Sequence, residues 1–376
     1  VLVNTCAIRE HAERRVLGRV AQLKGLKEDN PGLVLGVTGC MAQRMGDTLL
    51  EQAPYVDLVM GPDGYRELPR RIGEVGGGTG NREPASKAFD ASKRRTQLSV
   101  LELDLDENYE GLEQRRTSRV AAWVPIQRGC VHRCTFCFVP YVWGPEKNRL
   151  PREVLEEVAR IGASGVSEVT LLGQTVNSYR SDGWDFPRLL REVAQVPGIR
   201  RVRFQSPHPN DVTPELVEVM AAEPAVCENL HLPLQAGNDR TLKRMLRRYT
   251  VDSFLEKVRM VREGIPDISL STDVIVGFPG ETEEEFQDTL AVMREVRFDD
   301  AFTYKYSPRD GTPATRLPAD QFIGPEEAQD RLARLIEVHR GIQGGINRGE
   351  VGRVEEFLNE KEARDPGALM VRTRRN

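Results

Sequence analysis

Cys130, Cys134 and Cys137 form a C-x3-C-x2-C run, Cys130-Val131-His132-Arg133-Cys134-Thr135-Phe136-Cys137, directly after an apolar stretch at 121–126. Three thiols this close read as ligands before they read as disulfides, which would leave one thiol over. Three thiolates can hold three irons of a 4Fe-4S cluster and leave the fourth iron open to a further ligand. The other reading is a structural zinc, with His132 or a remote residue as the fourth ligand. The spacing speaks against zinc, because it lacks the paired C-x2-C units of zinc ribbons. An open iron is a place where chemistry could happen.

The remaining cysteines differ from this trio. Cys6 and Cys40 each fall where an expected strand ends, at 1–6 and 33–39. A helical pattern at 9–26, with Val16, Val20 and Leu23 on one face, lies between them, and a third β-rich run covers 56–60. Strand, helix, strand alternation predicts a small parallel α/β domain, in which ligands gather outside the carboxyl ends of the strands. Cys6 and Cys40 could therefore meet in space; the plainer reading of the residues alone is two small packed thiols. Cys227 has no cysteine neighbour and is expected to be an inert packed thiol.

The elements that must position the trio follow from periodicity. Apolar runs at 121–126, 168–172, 201–205, 229–234, 269–276 and 300–306 alternate with helical patterns, which makes six β/α units and predicts a barrel or a doubly wound sheet. Val154, Val158 and Ile161 share a helix face, Thr213-Pro214 reads as an N-cap with Pro in the first turn, and Thr282 to Glu285 reads as a capping box. Functional groups in such folds cluster at the C-terminal strand ends. The loops there carry Gly173-Gln174-Thr175-Val176-Asn177, Ser206-Pro207-His208-Pro209, Pro233-Leu234-Gln235-Ala236-Gly237, Val276-Gly277-Phe278-Pro279-Gly280 and Tyr306-Ser307-Pro308-Arg309-Asp310-Gly311. His208, between two prolines, is the functional histidine candidate, and His231, inside a strand, is expected to be structural.

Between the two α/β regions, 73–80 holds five glycines and is followed by Lys87 and Lys93-Arg94-Arg95, a composition that reads as linker. It has no Gly-Lys-Ser/Thr ending and is no phosphate loop. The acidic run 102–113 reads as a solvated face. A long helix is expected at 324–348, with Ala328, Leu332, Leu335 and Val338 on one face, then a strand at 353–358 and a basic end carrying Arg372, Arg374 and Arg375.

The 376 residues carry a net charge of -4, with 39% hydrophobic and 29% charged residues, which is the composition of a soluble globular chain and not of a general polyanion binder. No apolar run spans a membrane and no basic leader opens the chain, so the expectation is a cytoplasmic protein with no membrane partner. Val1 stands where an initiator Met would, so the chain is expected to be trimmed at its start.

The run from Arg128-Gly129-Cys130 to Cys137-Phe138-Val139-Pro140-Tyr141, with Gly144-Pro145-Glu146 and Arg149, resembles the radical S-adenosylmethionine (SAM) enzymes, and among them the methylthiotransferases. The resemblance implies a partial (β/α)6 barrel in which Cys130, Cys134 and Cys137 bind a 4Fe-4S cluster and SAM chelates its open iron. It implies cofactor contacts from Phe136, Gly173, Gln174, Asn177, Ser206, His208, Gln235 and Gly277, with the loop from Gly173 at the amino and carboxyl end of SAM. Asn4-Thr5-Cys6-Ala7-Ile8-Arg9 and Thr38-Gly39-Cys40-Met41-Ala42-Gln43 are similar to the N-terminal methylthiotransferase domain, whose three cysteines bind an auxiliary 4Fe-4S cluster. Two of the three, Cys6 and Cys40, have counterparts here. The end of the chain resembles the opening of a TRAM β-barrel, which implies RNA contact from Arg372, Arg374 and Arg375.

The implied organisation is an N-terminal domain at 1–72, a linker at 73–117, a radical SAM domain at 118–346 and an incomplete TRAM domain at 347–376. The family's reaction transfers a methyl group from one SAM to sulfur at the auxiliary cluster, and a second SAM is cleaved reductively to activate a C–H bond for methylthio insertion. Ser206-Pro207-His208-Pro209, Leu232-Pro233-Leu234-Gln235 and the loop from Tyr306 look most like the MiaB-type branch. That branch acts at C2 of N6-isopentenyladenosine beside the anticodon (position 37) of tRNA, with a reductant protein such as flavodoxin or ferredoxin. Trp143, Ala236 and Arg248 depart from its pattern, and Arg248 is similar to the branch acting on N6-threonylcarbamoyladenosine. The ribosomal protein S12 branch fits less well, and a non-catalytic iron–sulfur or RNA-binding scaffold is the alternative of another class.

Overall fold

The computed structural model describes residues 1–6, 10–76, 97–112, 114–116, 118–365 and 367–375. Residues 7–9, residues 77–80 of the glycine run, and Lys87 and Lys93-Arg94-Arg95 lie outside the described residues. The chain divides into two units, one built mainly from 1–107 and one mainly from 146–376, and each has an apolar core of its own.

In the first unit, β1 (Leu2–Thr5), β2 (Gly36–Gly39), β3 (Leu58–Met60) and β4 (Leu98–Val100) form one parallel sheet in that order. The predicted helix is present as Glu10–Leu23. Val20, Leu35, Val37, Met41, Leu49 and Val59 are buried in its core, which accounts for the apolar runs that mark the strands. Two elements cross the expected bounds. The helix Leu68–Gly76 runs past the expected boundary at 72, and β4 lies inside the stretch 73–117 expected as linker. β4 is only three residues long, too short for the alternation of Leu98, Ser99 and Val100 to stand out as a strand; its place is fixed by the Leu98 amide donating to the Asp57 carbonyl at 2.9 Å and the Gly61 amide to the Val100 carbonyl at 2.8 Å. The acidic run is largely exposed, but Glu107 is buried, with Arg66 Nε at 2.6 Å from its carboxylate.

The second unit carries the six expected β/α units. β5 (Ala121–Pro125), β6 (Glu168–Leu172) and β7 (Arg201–Phe204) pair in parallel in the order β7-β6-β5, and β8 (Asn229–His231), β9 (Ser269–Val276) and β10 (Asp300–Lys305) in the order β8-β9-β10. Val202 joins the two sheets through a parallel bridge to Val226, with the Cys227 amide donating to the Val202 carbonyl at 3.0 Å. The strands thus follow chain order around an open barrel, with β5 and β10 at its edges. Ala122, Val124, Val169, Leu171, Val202 and Phe204 on one face are buried against helices such as Pro151–Ala163 and Phe186–Ala194. Strand alternation puts Glu168, Thr170, Arg201 and Arg203 on the other face, a polar interior. The expected caps are present: Thr213 accepts from the Leu216 amide, and Thr282 and Glu285 form a capping box.

The long helix is Pro325–Gly349. The strand expected at 353–358 is instead β11 (Phe357–Glu362), paired antiparallel with β12 (Leu369–Thr373); 353–356 is exposed, Val354 included, and the partner strand sets the register. This hairpin docks on the N-terminal ends of the barrel strands. Arg201 donates to the Arg372 carbonyl at 2.8 Å and Arg203 to the Thr373 carbonyl at 2.6 Å. Arg374 makes two 2.9 Å contacts with the Glu228 carboxylate, Arg372 lies 3.4 Å from the fully buried Glu168, and Arg375 pairs with Glu350 and Glu355. Each arginine expected to contact RNA therefore has a carboxylate within its own chain, and a phosphate would have to compete with it. No helix among the described residues is long and apolar enough to cross a membrane.

Candidate active site

The cysteine loop is shaped by a glycine. Gly129 has φ 77°, and a Cβ there would lie 2.0 Å from the Pro145 carbonyl oxygen, so no other residue fits immediately before Cys130. The Cys130 amide donates to the Gly144 carbonyl at 3.2 Å, and Cys130 is buried. Residues 129–132 group with the first unit and Arg133–Cys137 with the second.

In the second unit the Cys137 amide donates to the Cys134 carbonyl at 3.0 Å, a tight turn that keeps both thiols on one short segment. Cys134 is buried and Cys137 half-buried. Thr135 is clamped from three directions: its amide donates to the Met245 carbonyl at 3.1 Å, its hydroxyl to the Arg244 carbonyl at 2.9 Å, and its carbonyl accepts from the Ala314 amide at 2.9 Å. The loops after β8 and β10 thus hold the one after β5. Phe136 meets Phe278 edge-on at 6.3 Å, and Phe278 meets Tyr306 at 5.1 Å, an aromatic wall that ties in the loop after β9.

The other predicted site residues converge on the same strand ends. After β6, Gly173 approaches closely enough that a Cβ would lie 2.9 Å from Gln127 Oε1 and from Val176 Cα. Asn177 and His208 are joined reciprocally, the His208 amide donating to Asn177 Oδ1 at 2.7 Å and Asn177 Nδ2 to the His208 carbonyl at 2.9 Å, and the Val176 amide reaches the Ser206 carbonyl at 3.3 Å. Ser206, Gln235 and Gly277, one after each of three successive strands, have φ of 61°, 67° and 69°. Left-handed backbone at non-glycine residues is uncommon and concentrates where a site needs it. Gly277 is held by its amide donating to Glu281 Oε2 at 2.5 Å; Glu281 is buried, and Arg331 lies 2.8 Å from the same oxygen.

Several residues here escaped sequence reasoning. Gln127 accepts from the Thr175 amide at 3.0 Å, and Glu146 accepts from Thr175 at 2.6 Å and Ser178 at 3.0 Å, so these two fix the loop bearing Gly173 and Gln174. The signal for Glu146 was its place in the Gly-Pro-Glu segment; none marks Gln127. Arg247 Nη1 lies 3.2 Å from Cys134 Sγ, and its Nε donates to the Tyr249 hydroxyl at 3.1 Å. Burial opposes the charge of Arg247, yet Tyr249 and Cys134 together push its pKa above the ordinary arginine value. Tyr249 in turn donates to the Pro233 and Leu234 carbonyls, and burial pushes its own pKa up.

His231 bonds Ser271 at 3.1 Å and Asp273 at 3.3 Å within the sheet, as expected of a structural histidine. Cys227 is buried, and burial pushes its thiol pKa up. Cys6 and Cys40 directly follow Thr5 and Gly39, which are register partners on β1 and β2, so the sheet sets them at neighbouring strand ends of the first unit. Gly39, with φ 93°, allows the close approach: a Cβ would lie 2.4 Å from Asn4 Oδ1 and 2.6 Å from the Thr5 carbonyl oxygen.

Three thiols in one loop are a soft donor set suited to iron. Gln174 Oε1 is buried with no hydrogen-bond partner among the described residues, so it lacks the donor that a ligand ammonium would supply. The residues fit.

An open parallel barrel with a three-thiol loop after its first strand defines a radical SAM enzyme. Residues 124–293 match the radical SAM superfamily, whose members use a 4Fe-4S cluster and SAM, and residues 1–61 match the uncharacterized protein family UPF0004. The chain belongs to the family of tRNA-2-methylthio-N(6)-dimethylallyladenosine synthases. It is 42% identical to the protein of that name from Carboxydothermus hydrogenoformans, covering 100% of this chain and 83% of that one. It is 43% identical to the Moorella thermoacetica protein of the same name, covering 100% and 82%. Among solved structures, the radical SAM methyltransferase TsrM from Kitasatospora setae superposes with a TM-score of 0.57 at 17% identity over 80% of this chain and 63% of that one. The cobalamin-dependent SAM radical enzyme OxsB superposes with a TM-score of 0.55 at 14% identity over 90% and 47%, and both likenesses concern the fold.

Proposed function

We propose that this chain inserts a methylthio group at C2 of N6-isopentenyladenosine in tRNA. The observation that carries the reading is the cysteine loop after β5, clamped at Thr135 by the loops after β8 and β10, in a chain whose relatives of that name match it from end to end. Cys130, Cys134 and Cys137 hold the 4Fe-4S cluster, and Gln174, Asn177, Ser206, His208, Gln235 and Gly277 surround SAM, with Phe136 beside them. A 4Fe-4S cluster held there by Cys130, Cys134 and Cys137, with SAM beside it, would supply one-electron reductive chemistry for activating a C–H bond. Gln127 and Glu146 hold the loop that presents Gln174, and the aromatic wall from Phe136 to Tyr306 excludes water from the strand ends. Cys6 and Cys40 supply two thiolates of an auxiliary 4Fe-4S cluster in the first unit; the family pattern's first cysteine has no counterpart among the 376 residues. A flavodoxin- or ferredoxin-type protein supplies the electron.

A second reading, N6-threonylcarbamoyladenosine as substrate, is favoured by Arg248, which is exposed beside Tyr249. Mass spectrometry of tRNA nucleosides from a strain lacking this protein separates them. Loss of the 2-methylthio derivative of isopentenyladenosine is expected. Loss of the threonylcarbamoyl counterpart alone would establish the second reading, and an unchanged tRNA nucleoside profile would overturn the proposal.

A further inference from the structure

We infer that Arg247 is a positioning residue for the cluster, donating an N–H···S hydrogen bond to the Cys134 ligand and thereby raising the reduction potential of the site; this rests on the reading of Cys130, Cys134 and Cys137 given above. Three observations meet on this side chain. Its Nη1 is 3.2 Å from Cys134 Sγ. Its Nη2 is buried with no partner, and no carboxylate forms an ion pair with it among the described residues. A guanidinium taken out of water without an anion is costly, so its placement calls for negative charge on the sulfur side. Its aim is also built in. Leu246 has φ 56°, a left-handed turn that an ordinary residue adopts only under constraint, and it redirects the chain just after the helix Asp239–Arg244. The Arg247 amide is then fixed on the Leu242 carbonyl at 2.8 Å, and Nε is fixed on Tyr249, which is anchored to the strand-end carbonyls of Pro233 and Leu234.

Hydrogen bonds and positive charge at cluster sulfurs stabilise the reduced form, which carries one more electron. The electron enters from a low-potential one-electron donor, dithionite in the assay, and no bond is made or broken at Arg247. Because Tyr249 ties the guanidinium to the strand end preceding Gln235, the same side chain couples the cysteine loop to a predicted cofactor contact.

The test is an anaerobic redox titration followed by electron paramagnetic resonance in a Cys6→Ala/Cys40→Ala background, so that only the barrel cluster reports. With iron content matched to the parent, Arg247→Gln is expected to lower the reduced-to-oxidised ratio at a fixed poise about tenfold, about 59 mV for a one-electron couple. Arg247→Lys, which keeps the charge and loses the planar fork, is expected to fall between the two. An assembled Arg247→Gln cluster with the parent midpoint overturns the inference. If that variant fails to assemble the cluster, Arg247→Lys decides: a lowered midpoint supports the inference and an unshifted one overturns it. A parent protein with no Cys134-dependent signal overturns both this inference and the cysteine assignment beneath it.

Discussion

The two cysteine-bearing regions solve the same local problem and differ in what surrounds the answer. In each, a positive-φ glycine directly precedes a cysteine, Gly39 before Cys40 and Gly129 before Cys130, and in each a Cβ would run into a backbone carbonyl. Beyond that they part. Cys6 is exposed and Cys40 half-exposed at adjacent strand ends, whereas Cys134 is buried, its loop is bonded to two other strand-end loops, and an arginine lies against its sulfur. Shielding and fixed geometry suit the radical chemistry we propose for the barrel loop, and the greater exposure of Cys6 suits the sulfur-side role we propose for the first unit.

The comparison can be strained from either side. The largest stability effect is expected from Arg331→Ala in the barrel unit, which leaves the buried Glu281 without its cation and costs about 3–5 kcal/mol. Burial already raises the Glu281 pKa. A raised carboxyl pKa favours the neutral form, so the loss is greatest at neutral pH and shrinks as pH falls through that pKa; chemical denaturation at pH 7 and pH 5 checks the sign. Next comes Gly39→Ala, expected to cost about 1–3 kcal/mol by backbone strain. Its mark is local: hydrogen exchange should rise in β1 and β2 while the barrel strands stay protected.

Glu228→Gln loosens the hairpin at the barrel base by about 1 kcal/mol, since the Arg374 pair is partly screened. It should leave SAM cleavage unchanged, because that end of the barrel is opposite the strand ends carrying the cysteine loop. The smallest effect is Glu283→Gln. Arg334 holds the Glu283 pKa down at about 2, and the pair is half exposed, so about 0.5 kcal/mol is expected. A depressed carboxylate contributes above its ordinary pKa of about 4.5 and loses that contribution as pH falls toward 2, so the variant should match the parent near pH 2.

Much of this architecture is legible in the residues because burial leaves a period. The six barrel strands, the helix Pro325–Gly349 and the caps at Thr213 and Thr282 all come from patterns with one mechanism each. β4 does not, since a three-residue strand is too short for its alternation to be distinctive, and β11 is offset because its register comes from β12. At the site, cysteine spacing carries its own chemistry, but the support does not. Gln127, Glu146 and Arg247 act through contacts 48, 29 and 113 residues away in sequence. The tail arginines show the converse, where charge that reads as phosphate-seeking is paired within the chain with Glu168, Glu228, Glu350 and Glu355.

We propose that the barrel thiols hold the cluster at which SAM is cleaved and that the first unit's thiols serve the sulfur. The most direct test measures two products in one anaerobic reaction with SAM, dithionite and tRNA bearing N6-isopentenyladenosine: 5′-deoxyadenosine and the methylthiolated nucleoside. Cys134→Ala is expected to abolish both, and Cys40→Ala to keep 5′-deoxyadenosine while losing methylthiolation. Undiminished 5′-deoxyadenosine from Cys134→Ala would contradict the account.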